Sequence, residues 1–177
     1  MKTPRILLVL ALATAGVGLV QAADKKAKEP SPVDVTFVDR DKFTDARDGY
    51  MGTDRGRDDV LERLKDHLTE KGAKVLQAGQ KLAISITEVD LAGEFEPWRG
   101  SQWSDVRIVK EIYPPRINLT YKLTAADGSV VKEGKRELRD TAFMMKITGG
   151  FRDDSLRYEK EMLDDWLRED IRADKKA

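Results

Sequence analysis

The stretch Lys81–Leu91, KLAISITEVDL, decides the fold because it has the apolar pattern of a strand with one buried face. Leu82, Ile84 and Ile86 alternate with small or polar residues, and this two-residue period is typical of a half-buried β-strand. The alternation changes parity near Glu88, which predicts either a β-bulge or the exit of the strand from its sheet at that point. A strand with one apolar face needs partner strands beside it and a layer that covers this face.

Three other segments have the composition of partner strands, namely Val33–Val38, Arg116–Thr124 and Val130–Leu138. Asp127-Gly128 predicts a hairpin turn between the last two of them. Because the return strand Val130–Leu138 is charged on both faces, we place it at the edge of the sheet, where charge discourages pairing with other chains. The segment Val106–Ile112 is a candidate for one further short strand, which the prolines that follow it would end.

Two amphipathic helices are available to cover the sheet. The first has apolar residues at three- and four-residue spacing from Val60 to Leu68, with Gly72 predicted as its end. Its start is open between Thr53 or Asp54 as the cap and Asp59 as part of a capping pair.

The second helix is predicted to follow a break at Gly149-Gly150 and to be capped by Asp153 or Asp154. Its broad apolar face comprises Tyr158, Met162, Leu163, Trp166, Leu167 and Ile171. The sequence therefore predicts a two-layer α+β fold, in which a mostly antiparallel sheet of about four strands has its helices on one face. The predicted order of elements is β-α-β-(β)-β-β-α.

The two ends of the chain differ in composition from its centre. Residues 1–22 have a basic start, an uncharged apolar run and small residues at the cleavage position, as in a secretory signal peptide. The apolar run is shorter than the ~20 residues of a membrane-spanning helix, and the chain has no cysteine for lipid attachment. We expect a disordered mature N-terminus over residues 23–32, a single globular domain over 33–172 and a frayed tail over 173–177. These features predict a soluble periplasmic protein with no membrane span after cleavage.

The charge balance limits the classes of partner. The chain has 32 basic and 32 acidic residues, so its formal net charge is zero. Nucleic-acid binding normally needs a basic face, and attraction to an anionic membrane surface needs the same, so the composition supports neither of these two partners. Because cysteine is absent, disulfides and thiol chemistry are excluded.

Four long segments resemble one known family. They are VTFVDRDKFTD at Val35–Asp45, LAISITEVDLAGEFEPW at Leu82–Trp98, DVRIVKEIYPPRINLTYKL at Asp105–Leu123 and LRYEKEMLDDWL at Leu156–Leu167. Together they resemble the exported bacterial family catalogued as domain of unknown function 3016. The resemblance implies an envelope location in Gram-negative bacteria, and it implies no activity, cofactor or catalytic residue.

The sequence offers little for nucleophilic or metal-assisted catalysis. His67 is the single histidine, and we expect it to be a partly exposed residue of the first helix, because no third orienting group can be assigned to it. Without cysteine, one histidine cannot complete a usual zinc site.

A hard cation is equally unsupported by the sequence. The acidic cluster Asp39, Asp41, Asp45 and Asp48 lacks the glycine turn and distal glutamate of an EF-hand, and basic residues are interleaved with it. We interpret the cluster as a solvated, ion-paired loop and predict no metal and no cofactor.

The segment Glu94–Trp103, EFEPWRGSQW, is the most suggestive stretch and is called the aromatic loop below. Phe95, Trp98, Arg99 and Trp103 form the candidate binding surface, since aromatic area interleaved with polar groups is enriched in interfaces. The alternative is that the rings fold back as a lid on the sheet and help to close the core.

The functional prediction is a non-catalytic binding or assembly module of the cell envelope. Its expected partner is an envelope protein or polymer, held by the aromatic loop or by a sheet edge. Two alternatives are open at this point. One is a carboxylate-based hydrolase of envelope polymers, and the other is a structural accessory protein that acts through oligomerisation.

Overall fold

The computed structural model describes residues 31–146 and 153–172 and has the predicted α+β fold. A four-stranded sheet has the order β1-β2-β5-β6. Its strands are β1 (Val33–Phe37), β2 (Lys81–Asp90), β5 (Arg116–Thr124) and β6 (Val130–Arg139). A second ladder joins β3 (Glu94–Phe95) to β4 (Arg107–Ile108), so the candidate strand over 106–112 is only two residues long. The helices are α1 (Asp54–Val75) and α2 (Arg157–Trp166).

The sheet is antiparallel except for one edge. Strand β1 pairs in parallel with β2, which requires the crossover through α1, whereas β2, β5 and β6 are antiparallel neighbours. The predicted bulge is confirmed, because the register shifts between Ile86 and Glu88. This shift returns Val89 to the buried face despite its change of parity. The charged strand β6 lies at the sheet edge, as predicted.

One face of the sheet carries the core. The buried residues of β1, β2 and β5 share this face, and both helices pack against it. The prediction that the helices lie on one face of the sheet is therefore confirmed. These strand residues are Val33, Val35, Leu82, Ile84, Ile86, Val89, Ile117, Leu119, Tyr121 and Leu123. The opposite face presents mainly small or polar side chains, including Thr36, Ala83 and Thr120.

Helix α1 begins where the sequence predicts but ends later. Thr53 is the N-cap, and its side-chain oxygen accepts a hydrogen bond of 2.9 Å from the Gly56 N–H. The prediction that Gly72 ends the helix is wrong, because α1 continues to Val75. Gly72 is instead a packing residue, since a Cβ atom there would lie 3.0 Å from Cγ2 of Val33 in β1.

Helix α2 has the predicted apolar face but begins at Arg157, after the acidic pair. The predicted cap at Asp153 or Asp154 is wrong, because the N-cap of α2 is Leu156 and no side chain within the described ranges caps the helix. Asp154 instead accepts a 2.9 Å hydrogen bond from the Leu156 N–H in the turn before the helix. Leu167–Ile171 continues the helix as a π-helical turn with Leu167 and Ile171 buried. The predicted break at Gly149-Gly150, the signal peptide and the frayed tail lie outside the described residues. Of the predicted disordered segment, Ser31 and Pro32 are described, and the carbonyl of Pro32 accepts a hydrogen bond from the Leu82 N–H in β2.

Candidate functional site: the aromatic loop

The four predicted surface residues of the aromatic loop divide into one buried anchor and three exposed side chains. Phe95 is buried, with the guanidinium of Arg107 lying 4.4 Å from its ring centroid. Trp98 is 72% exposed and Trp103 is 45% exposed, and Arg99 is exposed between them. Phe95 therefore cannot contact a partner directly, and it fixes the loop that presents the other three.

The backbone of the aromatic loop is built from short, tight elements. After β3, two 3₁₀ turns at Pro97–Arg99 and Ser101–Trp103 carry the two tryptophans. The chain enters the loop through Gly93, which has a φ of 85° and whose Cβ position lies 2.9 Å from the Ile108 carbonyl oxygen. Only glycine suits this position, because both the positive φ and the close approach of β4 exclude a side chain.

Glu96 fixes the loop from inside. Its carboxylate is buried and accepts hydrogen bonds at Oε1 from Lys110 Nζ and, at 3.1 Å, from the Tyr113 hydroxyl. Arg99 Nε lies 2.6 Å from Oε2. The hydrogen bond from Lys110 is the largest cause that holds the pKa of Glu96 below its usual range, so this carboxylate stays ionised at neutral pH. We call Glu96 with Lys110, Tyr113 and Arg99 the Glu96 cluster.

Asp45 forms a second buried anchor, called the Asp45 cluster with Arg47 and Arg107. Arg107 donates to both carboxylate oxygens at 2.8 and 3.2 Å, and Arg47 Nε donates at 3.1 Å. Arg107 also donates to the carbonyl oxygen of Gly93 at 3.1 Å, so it ties the aromatic loop to the loop before α1. Burial alone would raise the pKa of Asp45, but the hydrogen bonds and charge of Arg107, with those of Arg47, hold it below its usual range.

The burial of Asp45 corrects the prediction of a wholly solvated acidic loop. Its backbone N–H donates to Val89 at 3.1 Å and its carbonyl accepts from Leu91 at 3.0 Å, which attaches this residue to the end of β2. The other acidic residues of the cluster are exposed, as expected, and Asp39 is paired with Lys42 at 2.8 Å.

A third buried carboxylate, Glu159 of α2, was not predicted. It is 1% exposed, and its Oε1 accepts a 2.6 Å hydrogen bond from the Ala92 N–H, just before the aromatic loop. Its Oε2 has no hydrogen-bond partner within the described parts of the chain. Burial raises the pKa of Glu159 to about 7, against the opposing effects of the Ala92 hydrogen bond and the charge of Arg107. The sequence did contain a sign that Glu159 is buried. It lies three residues before Met162 and four before Leu163, so it falls on the apolar face of the helix.

The prediction of a partly exposed His67 is wrong. The ring is buried, and its Nε2 lies 2.7 Å from Oδ1 of Asp164, so the pair joins α1 to α2. The sequence indicated this burial, because His67 lies three residues after Leu64 and next to Leu68, within the apolar stripe of the helix. Lys71 also approaches Asp164, with 3.8 Å between the charged atoms. The pair thus has a position and contacts that suit helix packing.

Neither a metal site nor a membrane-spanning helix is found over residues 31–146 and 153–172. No group of three or more histidine or acidic side chains within these ranges is arranged to hold a metal ion. No helix there combines the length and the apolar character needed to cross a bilayer.

Of three comparisons with known proteins, one finds a match. No curated protein and no solved structure matches the chain. A family model described as "Protein of unknown function (DUF3016)" matches residues 31–169, which include the whole sheet and the aromatic loop. The match covers most of the sequence and agrees with the resemblance carried by the four segments of the chain. The chain therefore belongs to the DUF3016 family.

Proposed function

We propose that this protein is an exported, periplasmic binding or assembly module of the cell envelope, without catalytic activity, and that the aromatic loop is its contact surface. The partner class is an envelope protein or another envelope component. The signal-peptide features of residues 1–22 support the location. They predict that the mature chain begins at or near Ala23, and mass measurement of the protein from its native host tests this start.

A single observation carries the proposal: Trp98 is 72% exposed on a loop whose backbone is held from inside by a buried carboxylate. A large exposed ring on a mobile loop would lose conformational entropy when it binds. The Glu96 cluster and the buried Phe95 remove much of this cost before binding, which is the physical advantage of preorganisation. Exposed tryptophan with arginine beside it is also the composition of binding hot spots.

The ion pairs and hydrogen bonds of the buried carboxylates Asp45 and Glu96 support a binding role over hydrolysis. A general acid needs a proton to give at the working pH, and a general base needs an oxygen within reach of water or substrate. Asp45 and Glu96 are kept ionised by basic partners and are almost fully buried. Their contacts suit a structural task, which is to hold the loops around them. Glu159 would have a proton to give near neutral pH, but it is 1% exposed and therefore lies out of reach of a substrate. A carboxylate-based hydrolase thus stays an alternative, and the burial of Glu159 argues against it.

Site-specific photocrosslinking tests the proposal. A photoreactive amino acid is introduced at Trp98 in one variant and at Thr120, on the exposed face of the sheet, in the control variant. We expect discrete, reproducible adducts in the native host from position 98 and none of these adducts from position 120. Identical adduct patterns at both positions, or no adduct at position 98, would contradict the assignment of the aromatic loop as the contact surface.

A further inference from the structure

We propose that three loop tips at one end of the sheet, Met51, Trp98 and Ile112, insert together into the interfacial layer of an electrically neutral phospholipid bilayer. The protein would thus contact a membrane surface peripherally, through apolar side chains. This inference rests on the proposed function, because it names the component that the aromatic loop binds.

The strand register brings the three tips to the same end of the sheet. Asp90, at the end of β2, pairs with Arg116, at the start of β5, and Arg116 pairs with Arg139, at the end of β6. Because β1 is parallel to β2, the chain that leaves β1 also emerges at this end. The segments 38–53 and 91–115 therefore both lie there, and we call this region the loop end.

The exposed apolar side chains of the described residues are concentrated at the loop end. Nine of the eleven large ones follow β1, β2 or β6 at this end, and the other two are Val130 and Val131 at the opposite end of β6. The nine are Val38, Tyr50, Met51, Trp98, Trp103, Val106, Ile112, Met144 and Met145. Scattered single apolar residues on a surface are ordinary, but their segregation to one end indicates a contact region.

The three tips are largely exposed, and the loops that carry them are joined by buried contacts. Met51 is 85% exposed and Ile112 is 70% exposed, values that match the exposure of Trp98. The Asp45 cluster joins the loop before Met51 to the base of the aromatic loop, and the Glu96 cluster joins the aromatic loop to the segment that carries Ile112. Two buried carboxylates thus link three separate loops, so the tips are presented together before any partner arrives.

The charges near the tips favour a neutral surface over an anionic one. Arg99 and Lys110 lie beside Trp98 and Ile112 in the chain, but both are paired with Glu96. Arg47, which precedes Met51, is paired with Asp45. Arg139, which lines the same surface pocket as Ile112, has no ion pair within the described residues, but the exposed Glu111 beside Ile112 brings the opposite charge. A region with this charge balance attracts phosphate groups weakly, so apolar insertion is the main source of affinity.

The chemistry of the tips favours a lipid layer over the pocket of a folded protein. A thioether, an indole and a branched aliphatic chain on separate loops would need three matched cavities in a rigid partner. A fluid interfacial layer accepts all three without matching shapes, and tryptophan is enriched at that depth in membrane proteins. The long stems of Arg99 and Lys110 can lie along the apolar layer while their charged heads stay at the level of the lipid headgroups.

Vesicle flotation tests the inference. The protein isolated from cells is mixed with vesicles of phosphatidylcholine and phosphatidylethanolamine, and the bound fraction is measured for the wild type and for Trp98→Ala. Because full burial of one large apolar side chain accounts for about a tenfold change in partition or more, we expect Trp98→Ala to lower binding by about tenfold. Val131→Ala, a truncation of an exposed apolar residue at the opposite end, is the matched control and should bind like the wild type. Circular dichroism confirms that each variant is folded.

Three results would overturn the inference. The first is no binding to neutral vesicles, the second is binding that requires anionic lipid and disappears in high salt, and the third is equal loss in Val131→Ala. If neutral vesicles fail while photocrosslinking at position 98 yields a discrete protein adduct, the lipid inference is wrong and the proposed function stands with a protein partner. If no adduct forms at position 98 and the protein does not bind vesicles, both the lipid inference and the proposed function are wrong.

Discussion

Replacing Glu159 with glutamine should stabilise the protein at alkaline pH and have little effect at acidic pH. The pKa of this buried carboxyl is raised from 4.5 to about 7 in the folded chain. A raised pKa means that the stability contributed by the protonated form is fully present below pH 4.5 and is lost as the pH rises to about 7. The gap between the two pKa values corresponds to about 3 kcal/mol of unfolding free energy.

Glutamine is a suitable replacement because its carbonyl oxygen can keep the hydrogen bond from the Ala92 N–H, while it carries no charge at any pH. The assay is urea denaturation followed by tryptophan fluorescence at about pH 4.5, 6, 7 and 8. This series spans the ordinary pKa of a glutamate and the raised pKa of Glu159. We expect the free energy of unfolding of Glu159→Gln to exceed that of the wild type increasingly up to pH 7 and by a constant amount above it.

The control is Glu169→Gln, which removes the charge of an exposed glutamate in the helical turn that follows α2. Its stability difference from the wild type should not grow with pH in the same range. If the difference for Glu159→Gln is also independent of pH, or if this variant is the less stable one at about pH 8, then the pKa of this carboxyl is not raised in the folded protein. Burial of the carboxyl, with no partner for its Oε2 among the described residues, would then not be enough to raise its pKa.

Three other predictions, two of them with a control variant, are tested by the same denaturation assay. Gly72→Ala should lower the free energy of unfolding by about 1 kcal/mol, because the new methyl group is too close to Val33 in β1. This steric cost outweighs the higher helix propensity of alanine. An increase in the free energy of unfolding would show that β1 shifts to make room for the methyl group. Ala73→Gly, at the exposed neighbouring position, is the control and should cost about 1 kcal/mol through helix propensity alone. His67→Ala should cost about 2–3 kcal/mol, because it removes a buried ring and leaves the half-buried carboxylate of Asp164 without that partner, and an unchanged midpoint would contradict this role. Trp98→Ala should change stability by less than about 0.5 kcal/mol, whereas Trp166→Ala should cost about 3–5 kcal/mol; equal losses would mean that Trp98 is part of a lid.

Local patterns predicted the sheet well because their causes are local. The period of β2, the bulge after Ile86 and the hairpin at Asp127-Gly128 depend on residues that are close in sequence, and all three are found in the structure. The end of α1 was missed for a long-range reason. Gly72 has the usual signature of a helix end, but its contact is with Val33, a residue that no local pattern connects to it.

The candidate site was predictable only in part. The composition of the aromatic loop indicated a surface, but an irregular segment has no period that separates the buried Phe95 from the exposed Trp98. The anchoring carboxylates were hidden for a related reason. Asp45 resembles any acidic loop residue until Arg107, 62 positions later, is brought beside it by the fold. For Glu159 the apolar spacing of α2 was a usable signal.

The division of the loop end into buried anchors and exposed tips has an evolutionary consequence. Substitutions at Met51, Trp98 or Ile112 change what the surface binds at a small cost in folding, because these side chains make little contact with the core. Substitutions at Glu96 or Asp45 leave basic partners unpaired and threaten the fold itself. Selection can therefore alter the specificity of related chains at the tips while the anchors persist, and a library randomised at the three tips alone should yield mostly folded variants with new binding preferences.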